Sequence, residues 1–401
     1  DVTSGADVLG GDMQFFSELL GANEEIAFVG TFNQIGEFYD ISLLTNNSYV
    51  RDTWAQAYRT INICNNILAN INIVEVDERD RVKGEALFLR GLMYFELVKL
   101  YGKPYSAGNI TTNLGVQIVT TPTVNGNITG SNLIARSSVK DTYDQILSDL
   151  TTSKGLMTGD IGVHGSTYAA SAVLSRVYLQ MEDFAKARDE ANEVIENSGA
   201  SLEDDFSKVF NNSAPSSEDI FVLPITPQDG DNALHTFWST TDYGARDGDV
   251  EIEQGELDMY ELGDTRLALY YIDYAVYSGK WLLQYKYLPL VRLGEMYLTR
   301  AECNFRLGTT LGATPQEDVD LIRDRAHVAP IAMTLDNIIA ERKREIIDEG
   351  QRIHDIKRLR KSVTSPTSVV YAYDANKLVL PIPIREINAA GQNMLVQNPG
   401  Y

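Results

Sequence analysis

The sequence predicts a mostly α-helical protein in which tetratricopeptide-like helix pairs form a scaffold, with long irregular loops and a small β-hairpin. Three observations carry this. The stretch from Asp77 to Pro104 reads as one long helix with both ends marked. Residues 168–199, YAASAVLSRVYLQMEDFAKARDEANEVIENSG, read as a tetratricopeptide unit. The stretches between helices are rich in Gly, Asn and Thr and lack helical periodicity.

Asp77, Glu78 and Asp80 suit the positive end of the first helix dipole, Lys99 and Lys103 the negative end, and Gly102 with Pro104 stops the helix. Val82, Ala86, Leu89, Met93 and Leu97 recur on one face, and Phe88, Leu92 and Phe95 widen it, so more than one partner must cover it. Upstream, Trp54, Tyr58, Ile61, Asn65 and Leu68 mark the helix expected to pair with it, with Asp52 as its N-cap. Gly84 and Gly91 lie close to one line and allow a close backbone approach within that pair.

Residues 1–50 read as loops with short helical pieces, and 105–136 as a long excursion. From Ser138 the helical pattern returns in Val139, Tyr143, Ile146 and Leu150. In the tetratricopeptide unit, Ala172, Tyr178, Phe184, Ala187 and Ala191 fit the small and aromatic positions of such repeats, with Asp183 as turn and cap. Strands are expected at Ile220–Ile225 and in LYYIDYAVY and KWLLQYKY, turned at Ser278-Gly279. A helix follows in LPLVRLGEMYLTRAECNFRLG, and Thr314, Pro315 and Glu317 announce another by a capping box. Thr334 opens a single helix predicted to run to Lys361, and the tail is extended around Pro381 and Pro383. The chain is expected to form one domain, 1–401. Its scaffold is 52–104, 138–198 and 288–361, and its loop-rich lobe 1–51, 105–137, 199–287 and 362–401.

The 401 residues are 44% hydrophobic and carry a net charge of −22, which argues for a globular core and against nucleic acid or anionic lipid as partner. No apolar run approaches the roughly 20 residues that span a bilayer. Cys64 and Cys303, among apolar neighbours, read as buried free thiols. His164, His235, His327 and His354 lack metal-ligand spacing, and no nucleophile elbow, P-loop or dinucleotide fingerprint is present. The most tempting acid/base cluster is Glu341, Glu345 and Glu349, but its spacing of four among Arg342, Arg344 and Arg352 reads as an ion-paired helix face, extended by Arg323, Arg325, Asp355 and Arg358. No catalysis and no cofactor are expected, although the acidic loops leave room for a structural calcium.

Trp54-x3-Tyr58 with its following NNIL, the helix EALFLRGLMYFELVKLYG, YAASAVLSRVYL, PLVRLGEMYLTRAECN, AERKREIIDEGQRIHDIKRLR, and the closing PIPIREI and QNPGY occur in an order that resembles the SusD/RagB family of nutrient-capturing outer-membrane lipoproteins of Bacteroidota. The resemblance implies a non-catalytic surface protein that captures an oligosaccharide and delivers it to a TonB-dependent SusC-like transporter. Family members carry an earlier helix and a lipid-modified cysteine, so this chain is expected to begin inside the mature protein, its membrane association depending on that missing anchor. A peptide-binding relative on the same scaffold and a pure protein-interaction scaffold are the alternatives. The ligand site is expected on two loop stretches, NALHTFWSTTDYGARDGD and FYDISLLTNNSY. These offer flat faces in Trp238, Tyr243 and Tyr39, amides in Asn46 and Asn47, and charged groups in Asp242 and Arg246. The competing reading of Trp238 is that it plugs its loop into the scaffold.

Overall fold

Residues 8–123, 134–230, 232–390 and 394–401 are described by the computed structural model, which is mostly helical with short two-stranded ribbons. Helix Ser48–Ala69 begins four residues before the expected cap: Asn47, not Asp52, accepts a hydrogen bond from the Val50 amide at 3.1 Å, while Asp52 pairs with Arg51. Asn caps as well as Asp, and the earlier start buries Val50, whose carbonyl accepts the Tyr101 hydroxyl at 2.6 Å. The paired helix, Arg79–Tyr101, is buried on nearly every side from Ala86 onward.

Its glycines serve a different neighbour from the one the pattern suggested. A Cβ on Gly84 would fall 2.5 Å from Met157, and one on Gly91 would fall 2.9 Å from Leu150, so the close approach is to helix Val139–Leu156. Arg90 fastens the three helices together, donating to Asp149 at 2.6 and 2.8 Å and to Asn65 at 2.9 Å.

The repeat unit folds as helices Thr167–Gln180 and Phe184–Asn197, with Asp183 capping the second and Ala172, Ala187 and Ala191 fully buried between elements. Helix Leu293–Leu307 packs on Phe184–Asn197, then Pro315–Arg325 follows with the capping box of Thr314 and Glu317 in place. The helix announced by Thr334 ends at Ile346 and restarts as Arg352–Arg358. Gly350 explains the break: its φ is +85° and a Cβ there would sit 2.7 Å from the Gln14 Cα, so the interruption admits helix Asp12–Leu20.

The strand expectations need correction. Asp219–Pro224 pairs with Tyr287–Arg292, so residues 288–292 are strand rather than helix. In the hairpin, Tyr270–Ile272 pairs with Val276–Ser278 around residues 273–275, while Gly279–Trp281 is a 3-10 turn. Gly279 is held there because a Cβ would fall 2.2 Å from the Leu269 carbonyl oxygen. The tail contains a helix, Ile384–Ala390, after its two prolines.

One contiguous apolar cluster draws on residues from Val8 to Leu395, with a smaller one around Leu298, Val319 and Ile338. Cys64 and Cys303 are buried free thiols, both pushed up to about 12 by burial. The acidic row is ion-paired as its spacing suggested, but it is core rather than surface. Glu341 and Glu345 are fully buried, Glu341 against Arg266 and Arg323 and Glu345 against Arg292 and Arg325. Burial pushes Glu345 upward, yet Arg325, Arg292 and Arg266 outweigh it and hold the group at about 2. Arg352 binds Glu18 at 2.7 Å, Glu256 at 2.7 Å, Asp348 at 3.0 Å, and Glu25. We propose that this network and the shared core make scaffold and loop lobe one folding unit.

Crowding shows in Asp348, which burial and neighbouring Glu256 push to about 7 despite Arg352 and Lys280. Between an unfolded value near 4 and that folded value, only the native state binds the proton, so this group stabilises as pH falls and opposes folding as pH rises through 7. Asp348→Asn retains a residue tolerant of the local left-handed backbone, φ +62°. Urea unfolding from about pH 5 to about pH 8 is expected to show the variant gaining on the wild type by roughly 1–3 kcal/mol as pH rises. A difference independent of pH contradicts this.

Candidate functional site

The two loop stretches singled out in the sequence are joined by a ribbon that its pattern does not show. Ile26–Phe28 pairs antiparallel with Val250–Ile252, Phe28 opposite Val250 and Ile26 opposite Ile252. Residues 29–34 and 236–249 therefore emerge at the same end. There the Arg246 guanidinium stacks 4.2 Å from the Phe32 ring centroid, donates to Asp249 at 2.9 Å and reaches the Thr31 hydroxyl at 3.4 Å. Burial pushes the Asp249 carboxyl up, against the pull of Arg246.

Beside this pair, Thr31–Gln34 and Ser48, Tyr49 and Asp52 line an open depression. On the other side Tyr243, 40% exposed, packs edge-on against Tyr271, with ring centroids 5.0 Å apart. Tyr271 continues to Tyr277 at 5.5 Å and Tyr277 to Tyr274 at 5.4 Å; Tyr274 is 59% exposed. The loop that presents Tyr243 is fixed from behind: the Tyr271 hydroxyl accepts from the Thr240 amide at 3.1 Å, and the Ser239 hydroxyl donates to the Trp281 carbonyl at 2.7 Å. Gly248 cannot carry a side chain, since its Cβ would meet Tyr277 at 2.4 Å. Held flat faces flanked by a fixed guanidinium, amides and carboxylates suit a polar ligand with apolar faces better than bond cleavage.

Of the expected residues, Tyr243, Asp242 and Arg246 lie on this surface. Trp238 does not: it is completely buried, its ring 6.3 Å from Phe15, and it plugs the 233–238 helix into the core. Asn47 is also buried, its amide spent on Val50, the Gln34 carbonyl and Glu37. Asn46 is exposed. Tyr39 is half-buried at the far end of the ribbon, its hydroxyl raised by burial and by Glu253, Asp40 and Glu24. Phe32, Gln34, Tyr49, Tyr271 and Tyr274 were not identified from the sequence. The tyrosines of LYYIDYAVY fall in an expected strand, where such rings are ordinary, and nothing near Phe32 marks it as a platform.

Among the described residues no group of three or more potential ligands could hold a metal ion, and no helix is long and apolar enough to cross a membrane.

A helical-repeat scaffold carrying an aromatic loop surface defines a class of binding scaffold, and comparison with known proteins places the chain in a family described by starch binding and the outer membrane. The profile of a family described as "Starch-binding associating with outer membrane" matches residues 11–179, and that of the SusD family matches 271–401. The chain belongs to the SusD/RagB family. The SusD-like protein P2 of Formosa agariphila is 26% identical over 456 aligned positions, 96% of this chain and 87% of that protein. The starch-binding protein SusD of Bacteroides thetaiotaomicron is 34% identical over 128 residues, 28% of this chain and 21% of that protein. A putative sugar binding protein from Bacteroides vulgatus superimposes with a TM-score of 0.86 at 26% identity, covering 100% of this chain and 96% of that one. A SusD superfamily protein from the same species gives 0.88 at 22% identity over the same shares.

The burial of Trp238 separates stability from binding. Trp238→Ala is expected to destabilise by about 3–5 kcal/mol, the range for emptying an aromatic core site, whereas Tyr243→Ala leaves the melting temperature within a degree or two of wild type. Thermal unfolding of both variants measures this, and equal melting temperatures would count against the placement of Trp238.

Proposed function

We propose that the protein binds an oligosaccharide at the cell surface and delivers it to a TonB-dependent SusC-like transporter, held at the outer membrane by a lipid anchor and performing no catalysis. The observation that supports this reading best is the Arg246 guanidinium stacked on the Phe32 ring, on the same loop that exposes the Tyr243 ring three residues earlier. Sugars present apolar C–H faces to aromatic rings and hydroxyls to carboxylates, amides and guanidinium groups, which this surface supplies in Tyr243, Gln34, Asp242 and Arg246. The printed descriptions of the relatives, starch-binding and sugar binding, support the same ligand class.

The non-catalytic reading has its own support. The acidic row that most resembles an acid/base cluster in sequence, Glu341 and Glu345, is buried and paired with arginines, which leaves neither carboxylate facing a substrate.

A glycan panel, with peptides included, tests the proposal. Phe32→Ala and Tyr243→Ala are each expected to weaken binding of the recognised oligosaccharide by roughly 1–3 kcal/mol without lowering the melting temperature. Normal glycan binding by both variants would remove the surface from consideration, and capture of peptides alone would replace glycan with peptide as the ligand.

A further inference from the structure

A second cavity lies far along the chain from the aromatic surface, where the broken helix Leu335–Ile346 and Arg352–Arg358 leave a hollow of about 160 Å³. Its floor is apolar: Ile339, Ile346, Ile347, Ile356 and Leu359. The polar groups around it are mostly donors. Gln351 is 9% exposed, yet its side-chain amide makes no hydrogen bond to the protein. Lys361 and Ser362 stand exposed at the mouth with no side-chain partner, and Asn23, whose oxygen accepts from the Thr364 amide, keeps its NH2 group free.

The charges are equally one-sided. Asp355 is the one carboxylate lining the cavity; both oxygens are taken, by Arg342 at 2.9 Å and by Arg358, and these arginines overcome burial to hold it at about 2. Arg352 is consumed by four carboxylates and Lys343 by Glu25. That leaves the Lys361 ammonium as the free charge, in a chain of net charge −22. A neutral apolar guest would leave the Gln351 amide at the cavity wall unpaired, and a cation would meet Lys361.

From this we infer that the cavity between residues 339 and 362 is a binding site for a small carboxylate with a branched or aromatic apolar tail. The tail lies on the isoleucines, and the carboxylate accepts from Lys361 and the Gln351 amide. A volume of this size accommodates a single ring or a branched side chain. This site is independent of the glycan surface and of what that surface binds.

Phenylacetate serves as the probe, titrated into the full chain by calorimetry beside phenylacetamide, which keeps the ring without the charge, and acetate, which keeps the charge without the ring. Phenylacetate is expected to bind at least about tenfold more tightly than either. Lys361→Gln and Ile356→Trp, the second filling the hollow, are each expected to weaken it by about tenfold or more. Should Ile356→Trp fail to fold, Ile339→Phe, at another lining residue, replaces it. No detectable phenylacetate binding, equal binding of the amide, or binding that survives a folded cavity-filling variant overturns the inference.

Discussion

The Arg352 guanidinium meets four carboxylates from distant parts of the chain: Glu18 and Glu25 near the start, Glu256 in the middle, and Asp348 just before it. All are buried or nearly so, and taking these charges from water costs several kcal/mol per ion unless each finds its partner. Such a cluster therefore adds little net stability, yet it discriminates sharply among arrangements. Any packing that displaces one member leaves the others buried and uncompensated. The Gly350 break in the helix allows the convergence, because the Glu18 carboxylate also accepts the Gly350 amide at 2.8 Å.

The aromatic surface depends on this convergence through the chain itself. Glu25 immediately precedes the ribbon strand Ile26–Phe28, and Glu256 follows its partner Val250–Ile252 by four residues. Arg352 thus holds both strands of the ribbon at one end, while Phe32 and Arg246 emerge at the other. Tyr270, at the root of the tyrosine hairpin, donates to Glu256 at 2.8 Å. Loops with little core of their own are positioned by a charged anchor in the scaffold.

Much of the scaffold was legible because helices announce themselves locally. Thr314 with Glu317, and Asp183, cap where their spacing placed them, the helix expected from Ser138 does begin there, and the tetratricopeptide alanines are buried as their positions implied. What could not be read is set by contacts distant in sequence. Gly84 and Gly91 signal close packing but not with which helix. Residues 334–361 carry an unbroken helical pattern because both halves are amphipathic, and only the packing of Gln14 on Gly350 shows the interruption. Trp238 and Tyr243 stand five apart in one polar stretch, and composition gives no means of telling the core plug from the exposed ring. Their separation follows from Phe15, more than two hundred residues away in the chain.

The central claim is that Arg352 couples the binding lobe to the scaffold, and hydrogen exchange in Arg352→Met tests it most directly. The account predicts that amides of 26–28 and 250–258 lose protection together with those of 12–20 and 352–358, since removing one guanidinium strands carboxylates on each. Loss confined to the 352–358 helix, with the ribbon still protected, would contradict it.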